Sequence, residues 1–382
     1  MIQSIELRNF KSIKKKHFPL RNLNILLGLN GQGKSSFIQA LLLLRQSDKL
    51  SKGELKLNGG DNGLVNAGTA KDVFYQYNPR QMSITLQFDG ADFYQMDFDY
   101  LAETDLLKNN LIKEGSDYLE QNAGQPLFTN NFQYLNAQRI EPKSVNIAGY
   151  TSVKDANSLG KYGQYTAHYI ELRGNEEVLF DNLLHKDTEK YEDKGETKID
   201  RTLKSQINLW LGEISPGVRV QTSKISSDLI LLEYKFKQPT LGATNNFKPE
   251  NVGFGISYAL HVVTALLSAR PGELIIIENP ESHIHPRGQA ELGKLIARVA
   301  QNENIQVIIE THSDHILNGI RVAVKEADLN KDKVVAFYFS KVVADMEQYA
   351  KITDIAIDKN GTLSEYPENL LDEWANQLLK LV

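Results

Sequence analysis

The chain opens in alternation: Ile2-Gln3-Ser4-Ile5-Glu6-Leu7 reads as a strand with one buried face. Residues 9–17 are charged and read as a turn or hairpin, and the wholly apolar run 23–27 reads as a buried strand. An amphipathic helix is predicted over 35–42, and the Gly/Asn-rich stretch 56–63 should turn. Residues 83–88 and 94–98 alternate again, which predicts an antiparallel sheet. Residues 146–195 give a mixed, polar and partly helical signal, read as an insertion or arm. Helical spacing follows at 199–211, then strands at 218–220 and 229–236. The last third is more regular: helix to 267, strand 273–278, helix 288–300, strand 305–310, helix 314–325 and strand 334–339. Fully apolar strands alternating with helices predict a parallel sheet covered on both faces. No internal repeat or low-complexity segment emerges.

Composition narrows the class without deciding it. A chain of 382 residues holds two average domains or one large α/β domain with insertions. The net charge of −5 argues against a generally basic nucleic-acid binder. With no cysteine, disulfides, thiolate metal sites and cysteine nucleophiles are excluded. The apolar runs 41–44 and 275–277 end at Arg45 and Glu278, far short of a membrane span. The first residues lack signal-peptide organisation, so a cytoplasmic, membrane-free protein is expected.

The chemistry starts at Gly28-Leu29-Asn30-Gly31-Gln32-Gly33-Lys34-Ser35, directly after the buried strand. Two glycines separated by four residues, then Lys and Ser, form a phosphate-binding loop pattern. Glycines let successive N–H groups turn inward around phosphate, where a Cβ would obstruct the approach. Lys34 offers a charge to the β- and γ-phosphates, and Ser35 a hydroxyl to Mg²⁺. The helix that follows aims its positive end at the same anion. Asn30, Gly31, Gln32, Gly33, Lys34, Ser35 and Ser36 are the candidate contacts to a nucleotide. The plain alternative is an ordinary strand-to-helix turn.

Such a loop usually works with an apolar strand ending in a carboxylate that holds Mg²⁺. Ile275-Ile276-Ile277-Glu278-Asn279-Pro280-Glu281-Ser282-His283-Ile284-His285-Pro286 has that form. The next strand ends in Glu310-Thr311-His312-Ser313, and Asn251-Val252-Gly253-Phe254-Gly255-Ile256-Ser257 opens the preceding helix. This set resembles the ABC-type ATPase heads of the SMC, RecF and OLD-like group. The likeness extends to a bacterial subfamily with a short C-terminal domain of unknown function, through Tyr134-Leu135-Asn136-Ala137-Gln138-Arg139 and Ile355-Ala356-Ile357-Asp358 among others. It implies an α/β P-loop NTPase with a mixed sheet, an antiparallel β subdomain and a helical insertion. Four segments follow from it: an N-terminal lobe 1–145, an insertion 146–215, a C-terminal lobe 216–341 and a short segment 342–382. It also implies ATP and Mg²⁺, with two heads closing around ATP as a homodimer or higher oligomer. In that scheme Glu278 is the Mg²⁺ acid, His312 the switch histidine, residues 282–286 the D-loop, and Gly253, Gly255 and Ser257 the signature contacts.

One departure changes the expected chemistry. The resemblance places a water-polarising carboxylate after the Mg²⁺ acid, where this chain has Asn279. An amide takes no proton, so either Glu281, His283 or His312 positions the water, or the head binds ATP and scarcely turns it over. Arg139 reaches nucleotide or the opposing head, or else pairs with a core carboxylate; Gln87, Gln133 and Gln138 compete as the Mg²⁺-contacting glutamine. The histidines 283, 285, 312 and 315 lack firm zinc spacing. The basic run 11–16 reads as a solvated hairpin that leaves room for nucleic acid, and 187–200 as an exposed helical arm. Three functions remain: an ATPase driving an effector (nuclease or toxin-like) in phage defence or DNA maintenance, a scaffold deficient in hydrolysis, or an ATP-gated DNA clamp.

Overall fold

The run at 23–27 forms the strand Leu23–Gly28, buried along nearly its whole length, and the glycine loop joins it directly to the helix Lys34–Gln46. The computed structural model describes residues 1–61, 63–90, 93–110, 122–193, 196–238, 240 and 242–381. Two units pack separately: Met1–Thr129 with Val334–Ile357 and Leu363–Val382, and Asn130–Lys333 with Asp358–Thr362. These boundaries differ from the four segments drawn on the sequence, because the C-terminal strands return to the first unit.

In the first unit an antiparallel sheet runs in the order Ile13–Pro19, Ile2–Phe10, Gln81–Phe88, Tyr94–Asp99. Ile5 faces Phe18 on one side and Leu86 on the other, so alternation fixes one buried face. Leu23–Gly28 lies parallel to Val334–Val343, with Gly28 opposite Phe339, and Val334–Val343 pairs antiparallel with Gln348–Ile355. Phe18 meets the rings of Phe37, Phe337 and Phe339 at 4.6, 5.3 and 6.2 Å, an aromatic cluster beneath the loop helix. That helix buries Phe37, Ile38 and Leu41 through Leu44. It is therefore buried on most sides rather than amphipathic, since four consecutive leucines span a full turn.

The second unit holds the parallel strands Phe132–Leu135, Leu274–Glu278 and Gln306–Glu310, with Leu274–Glu278 in the middle. Helices Pro286–Gln301 and Asp314–Lys325 pack at close range: a Cβ added at Gly293 or Gly319 would overlap the carbonyl of Ile316 or Ala290. Helix Phe254–Leu267 packs against helix Leu203–Gly212. A small antiparallel sheet, Val145–Ile147, Leu229–Gln238 and Val218–Lys224, completes the unit beside helix Thr166–Arg173. The architecture is thus α/β with parallel and antiparallel sheets.

The described residues of 187–200 do not form a helical arm. Lys190–Asp193 and Glu196–Ile199 pair as an exposed hairpin, with Thr197 donating to Glu192 at 2.7 Å. The stretch lacks the apolar stripe that would hold a helix against the core, while cross-strand pairing satisfies its backbone locally. The predicted helix at 199–211 correspondingly starts later, at Leu203.

Candidate nucleotide site

In the first unit, Gly28, Gly31 and Gly33 adopt φ of +131°, +74° and +103°, a region that favours glycine. A Cβ at Gly28 would overlap the Phe339 carbonyl oxygen, and one at Gly33 would crowd the Ser12 hydroxyl. Gly33 is also the N-cap of helix Lys34–Gln46; no side chain caps this end and no acid lies in its first turn. Backbone N–H groups at a helix start, without a side-chain cap, suit an anion. The Lys34 ammonium donates to the carbonyls of Gly28 and Leu29 at 2.7 and 2.9 Å, so it folds back along the loop it would share with phosphate. Asn30, Gly31 and Ser35 are exposed, whereas Ser36 is buried with its amide on the Gly33 carbonyl.

Beside the loop is a cavity of about 300 Å³, lined by Gly31, Gln32, Lys11, Ser12, Tyr75 and Tyr349 among others. The Ser12 hydroxyl and Gln32 Oε1 are buried there without a protein partner. Burial pulls Lys11 below the usual lysine range, with Asp72 opposing. Sequence reasoning missed Ser12, Tyr75 and Tyr349 because no motif announces side chains brought to the loop by pairing. The basic run 11–16 lies at the hairpin that joins Ile2–Phe10 to Ile13–Pro19, and Lys14 and Lys16 are tied to Glu347 and Asp354 at 2.8 and 2.5 Å.

In the second unit, Glu278 ends the middle strand in register with Glu310. Its carboxylate accepts from the Tyr134 hydroxyl at 2.8 Å and from the Ala137 amide at 3.3 Å. Burial pushes this carboxyl above the ordinary range, and those two donors partly oppose the shift. The next residue, Asn279, sits at φ +45° and donates its amide to the Glu310 carbonyl at 2.8 Å. Asn tolerates this left-handed position far better than a longer side chain, a backbone reason for an amide there. Glu281 Oε1 accepts from the His312 amide at 2.8 Å, and His312 itself is exposed. Arg139 is 4% exposed and donates through Nη2 to the carbonyls of Glu278 and Asn279 at 2.7 and 2.9 Å. It therefore sits under the acid turn, on no surface offered to nucleotide or to a second copy. Burial lowers it to about 10, so it stays cationic at neutral pH.

The remaining candidates separate. Gly253 is exposed at the start of helix Phe254–Leu267, and a Cβ at Gly255 would overlap the His283 carbonyl oxygen. Ser257 turns inward, 3.2 Å from the Tyr234 hydroxyl. His285 caps helix Pro286–Gln301, and His283 packs on Tyr258 at 4.9 Å. Gln133 is buried, accepting from the Leu159 amide, whereas Gln138 is exposed. Among the described residues the grouping with metal-ligand spacing is His185, Asp187 and Glu213, which includes none of the four predicted histidines. There the ring of His185 is engaged on both nitrogens, by Glu213 and the Asp187 amide, and Lys186 and Arg287 flank Glu213. A carboxylate so surrounded by cations does not favour a metal.

An uncapped glycine loop after a buried strand, together with a carboxylate ending a parallel strand, defines a P-loop nucleotide-binding α/β protein. The family model described as "AAA domain, putative AbiEii toxin, Type IV TA system" matches residues 23–318, and the chain belongs to this family of ATPases, of the SMC, RecF and OLD-like kind. Residues 329–381 match a second model, a protein of unknown function (DUF3696). The chain is 23% identical over 368 residues to the OLD nuclease of Thermus scotoductus, covering 88% of this chain and 64% of that protein. It is 22% identical over 349 residues to the Old nuclease of Escherichia phage P2, covering 84% and 58%. It thus spans about three fifths of the length of these relatives. The DNA replication and repair protein RecF of Francisella tularensis subsp. novicida matches over 88 residues at 30% identity, 22% of this chain and 24% of RecF. An Smc head domain derived from Pyrococcus furiosus, solved bound to the C-terminal domain of ScpA, gives a TM-score of 0.49 at 14% identity, covering 100% of this chain and 98% of that one. No helix among the described residues is long and apolar enough to cross a membrane.

Proposed function

We propose that this protein is an ABC-type head that binds ATP, closes with a second copy around it, hydrolyses it slowly and thereby gates an effector protein. The observation that carries the reading is the glycine loop: three left-handed glycines, an uncapped helix start and a buried lysine lying along the loop. Gly31 and Gly33 would present backbone N–H groups to phosphate, with Lys34 adding charge. Ser35, exposed in the first unit, and Glu278 of the second, a carboxylate with lone pairs beyond its two hydrogen bonds, are each oxygen donors of the kind Mg²⁺ takes. When bound, the ion would neutralise charge on the β- and γ-phosphates. Glu281 and His312, joined by one hydrogen bond, are the groups that would handle water in place of Asn279. In the partner copy Gly253, exposed at a helix start, would face the nucleotide.

Likeness to OLD nucleases and RecF supports work on or beside DNA, in maintenance or phage defence, with the effector chemistry in a nuclease or toxin-like partner. The acid turn keeps a second reading alive, because Asn279 removes the expected base: a scaffold held together by ATP with negligible turnover. A DNA clamp is the least supported, given the paired lysines at 14 and 16. ATP turnover of the purified chain beside Lys34→Ala decides between enzyme and scaffold. Turnover at least about 100-fold above Lys34→Ala is expected, and equality between them ends the enzyme reading. Light scattering with and without ATP and Mg²⁺ tests closure; an unchanged mass counts against it.

A further inference from the structure

Residues 329–381, which match the model of unknown function, return to the glycine loop and build part of its surroundings. Their two strands belong to the first unit. Val334–Val343 runs beside Leu23–Gly28, and Gln348–Ile355 pairs with it, Tyr349 lying opposite Val342. The Ala350 amide donates to the Ser12 carbonyl at 2.8 Å. A Cβ added at Gly33 would stand 3.3 Å from the Ala350 Cβ, so this strand touches the loop itself. Glu347, just before the strand, accepts from the Tyr75 hydroxyl at 3.0 Å and anchors the hairpin. Two cavities border the loop, and the C-terminal segment lines both. In the cavity of about 300 Å³ beside Gly31, three lysines, Lys11, Lys71 and Lys341, outnumber Asp72, the one carboxylate among the described lining residues. Of its aromatic residues Phe74 and Tyr75 are buried, Tyr77 is exposed but packs on Tyr75 at 5.4 Å, and Tyr349 is half-buried. The other cavity, about 500 Å³ against Leu29, sets Lys341 and Lys351 against Glu365 and Glu368, so its charges balance. Every base has a π-face that stacks on an aromatic ring, and surplus positive charge suits phosphate. The smaller cavity offers both.

We infer that the C-terminal segment supplies the wall that recognises the nucleoside of the bound nucleotide, in the smaller cavity, with Tyr349 as the specificity-determining residue. The inference rests on the nucleotide-binding reading of the glycine loop given above. A loop of backbone N–H groups meets only phosphates, which inorganic polyphosphate carries as well. Telling a nucleotide from bare phosphate therefore falls to side chains beside the loop. Tyr349 suits that task, since it lines the cavity and is placed by strand register one residue from the Ala350–Ser12 bond. Its neighbour Gln348 lines the same cavity and carries both a carbonyl and an amide, the pair that a base edge can meet.

Calorimetric titration of the full chain with ATP and, separately, with inorganic tripolyphosphate, both with Mg²⁺, tests this. Tyr349→Ala should weaken ATP binding about tenfold or more and change tripolyphosphate binding by no more than about threefold. Tyr349→Phe keeps the ring and should bring ATP affinity back to within about threefold of wild type. Tyr366→Ala, in the larger cavity, should bind both ligands as wild type does. Wild-type ATP affinity in Tyr349→Ala, a parallel loss of tripolyphosphate, or a loss of ATP in Tyr366→Ala instead, overturns the inference. Where Tyr349→Ala fails to fold, Gln348→Ala is read in the same way. If Lys34→Ala binds both ligands as wild type does, or wild type binds neither, the nucleotide-binding reading itself has failed, an outcome distinct from the others.

Discussion

The glycine loop and the acid turn both hold the end of a buried strand open, and they do it with opposite materials. In the loop, left-handed positions belong to Gly28, Gly31 and Gly33, and what faces a ligand is backbone N–H. In the turn, left-handed positions belong to Asn279 and His283, and what remains to be paired is side-chain chemistry on Arg139, Asn279 and Glu281. Glycine makes room and leaves little else to vary. Asn and His tolerate the same backbone while carrying functional groups, at a cost in strain. On the function proposed above, the loop grips an anion and the turn manages protons and water, so a chain that keeps the first and alters the second would separate binding from turnover.

The sharpest way to break this comparison is Gly28→Ala. With φ at +131° and the Phe339 carbonyl oxygen where a Cβ would sit, the change should destabilise the first unit by about 3 kcal/mol or more and abolish binding of an ATP analogue, read by urea unfolding and fluorescence. Asn279→Gly, in the turn, should alter stability by no more than about 1 kcal/mol, since its backbone already suits glycine. A large loss there would mean that the turn depends on the amide for folding.

A smaller effect separates the two ends of the acid strand. At the far end from Glu278, burial raises the Glu273 carboxyl from 4.5 to about 7. An unfolded chain ionises this group first, so its contribution to stability is intact below about pH 4.5, falls as pH rises to about 7 and stays lost above. Glu273→Gln should remove that decline and stabilise the protein at pH 8 by roughly 3 kcal/mol at most, measured by urea unfolding across pH. Wild-type stability that is flat from pH 5 to 7 would refute the burial argument.

Asn279→Glu sharpens the comparison further. At φ +45° a glutamate is strained by about 1 kcal/mol relative to Asn, and it enters a turn already served by Glu281. Turnover should not rise, and a gain of about tenfold would show instead that position 279 is the natural seat of the base. The smallest effect belongs to Lys14→Ala: its partner Glu347 is solvent-accessible and also accepts from Tyr75, so neither melting temperature nor turnover should change measurably.

Much of the fold was legible because burial and periodicity coincide. The apolar strands at 274–278 and 306–310 have no polar residue before their terminal carboxylates except Gln306, and helix Asp314–Lys325 starts at the cap supplied by Ser313. The hairpin at 190–199 was not legible, since its pairs, such as Tyr191 with Lys198, are exposed on a polar ribbon. Strand Gln348–Ile355 was missed for a related reason: its residues alternate weakly, and its place comes from register with Val334–Val343. At the site, Glu278 was visible as a strand-end residue, and Glu281 and His312 as polar residues just beyond strand ends. Tyr134 as the carboxylate's donor, and Arg139 as the support of the turn, were not. Their roles depend on where side chains one strand away point, which spacing along one chain does not encode.

The most direct test pairs binding with turnover in one variant from each region. Lys34→Ala should lose both affinity for an ATP analogue and hydrolysis, while Glu281→Gln should bind as wild type and hydrolyse about 100-fold more slowly. If Lys34→Ala still binds ATP normally, or if Glu281→Gln turns ATP over at the wild-type rate, the division of labour between loop and turn is wrong.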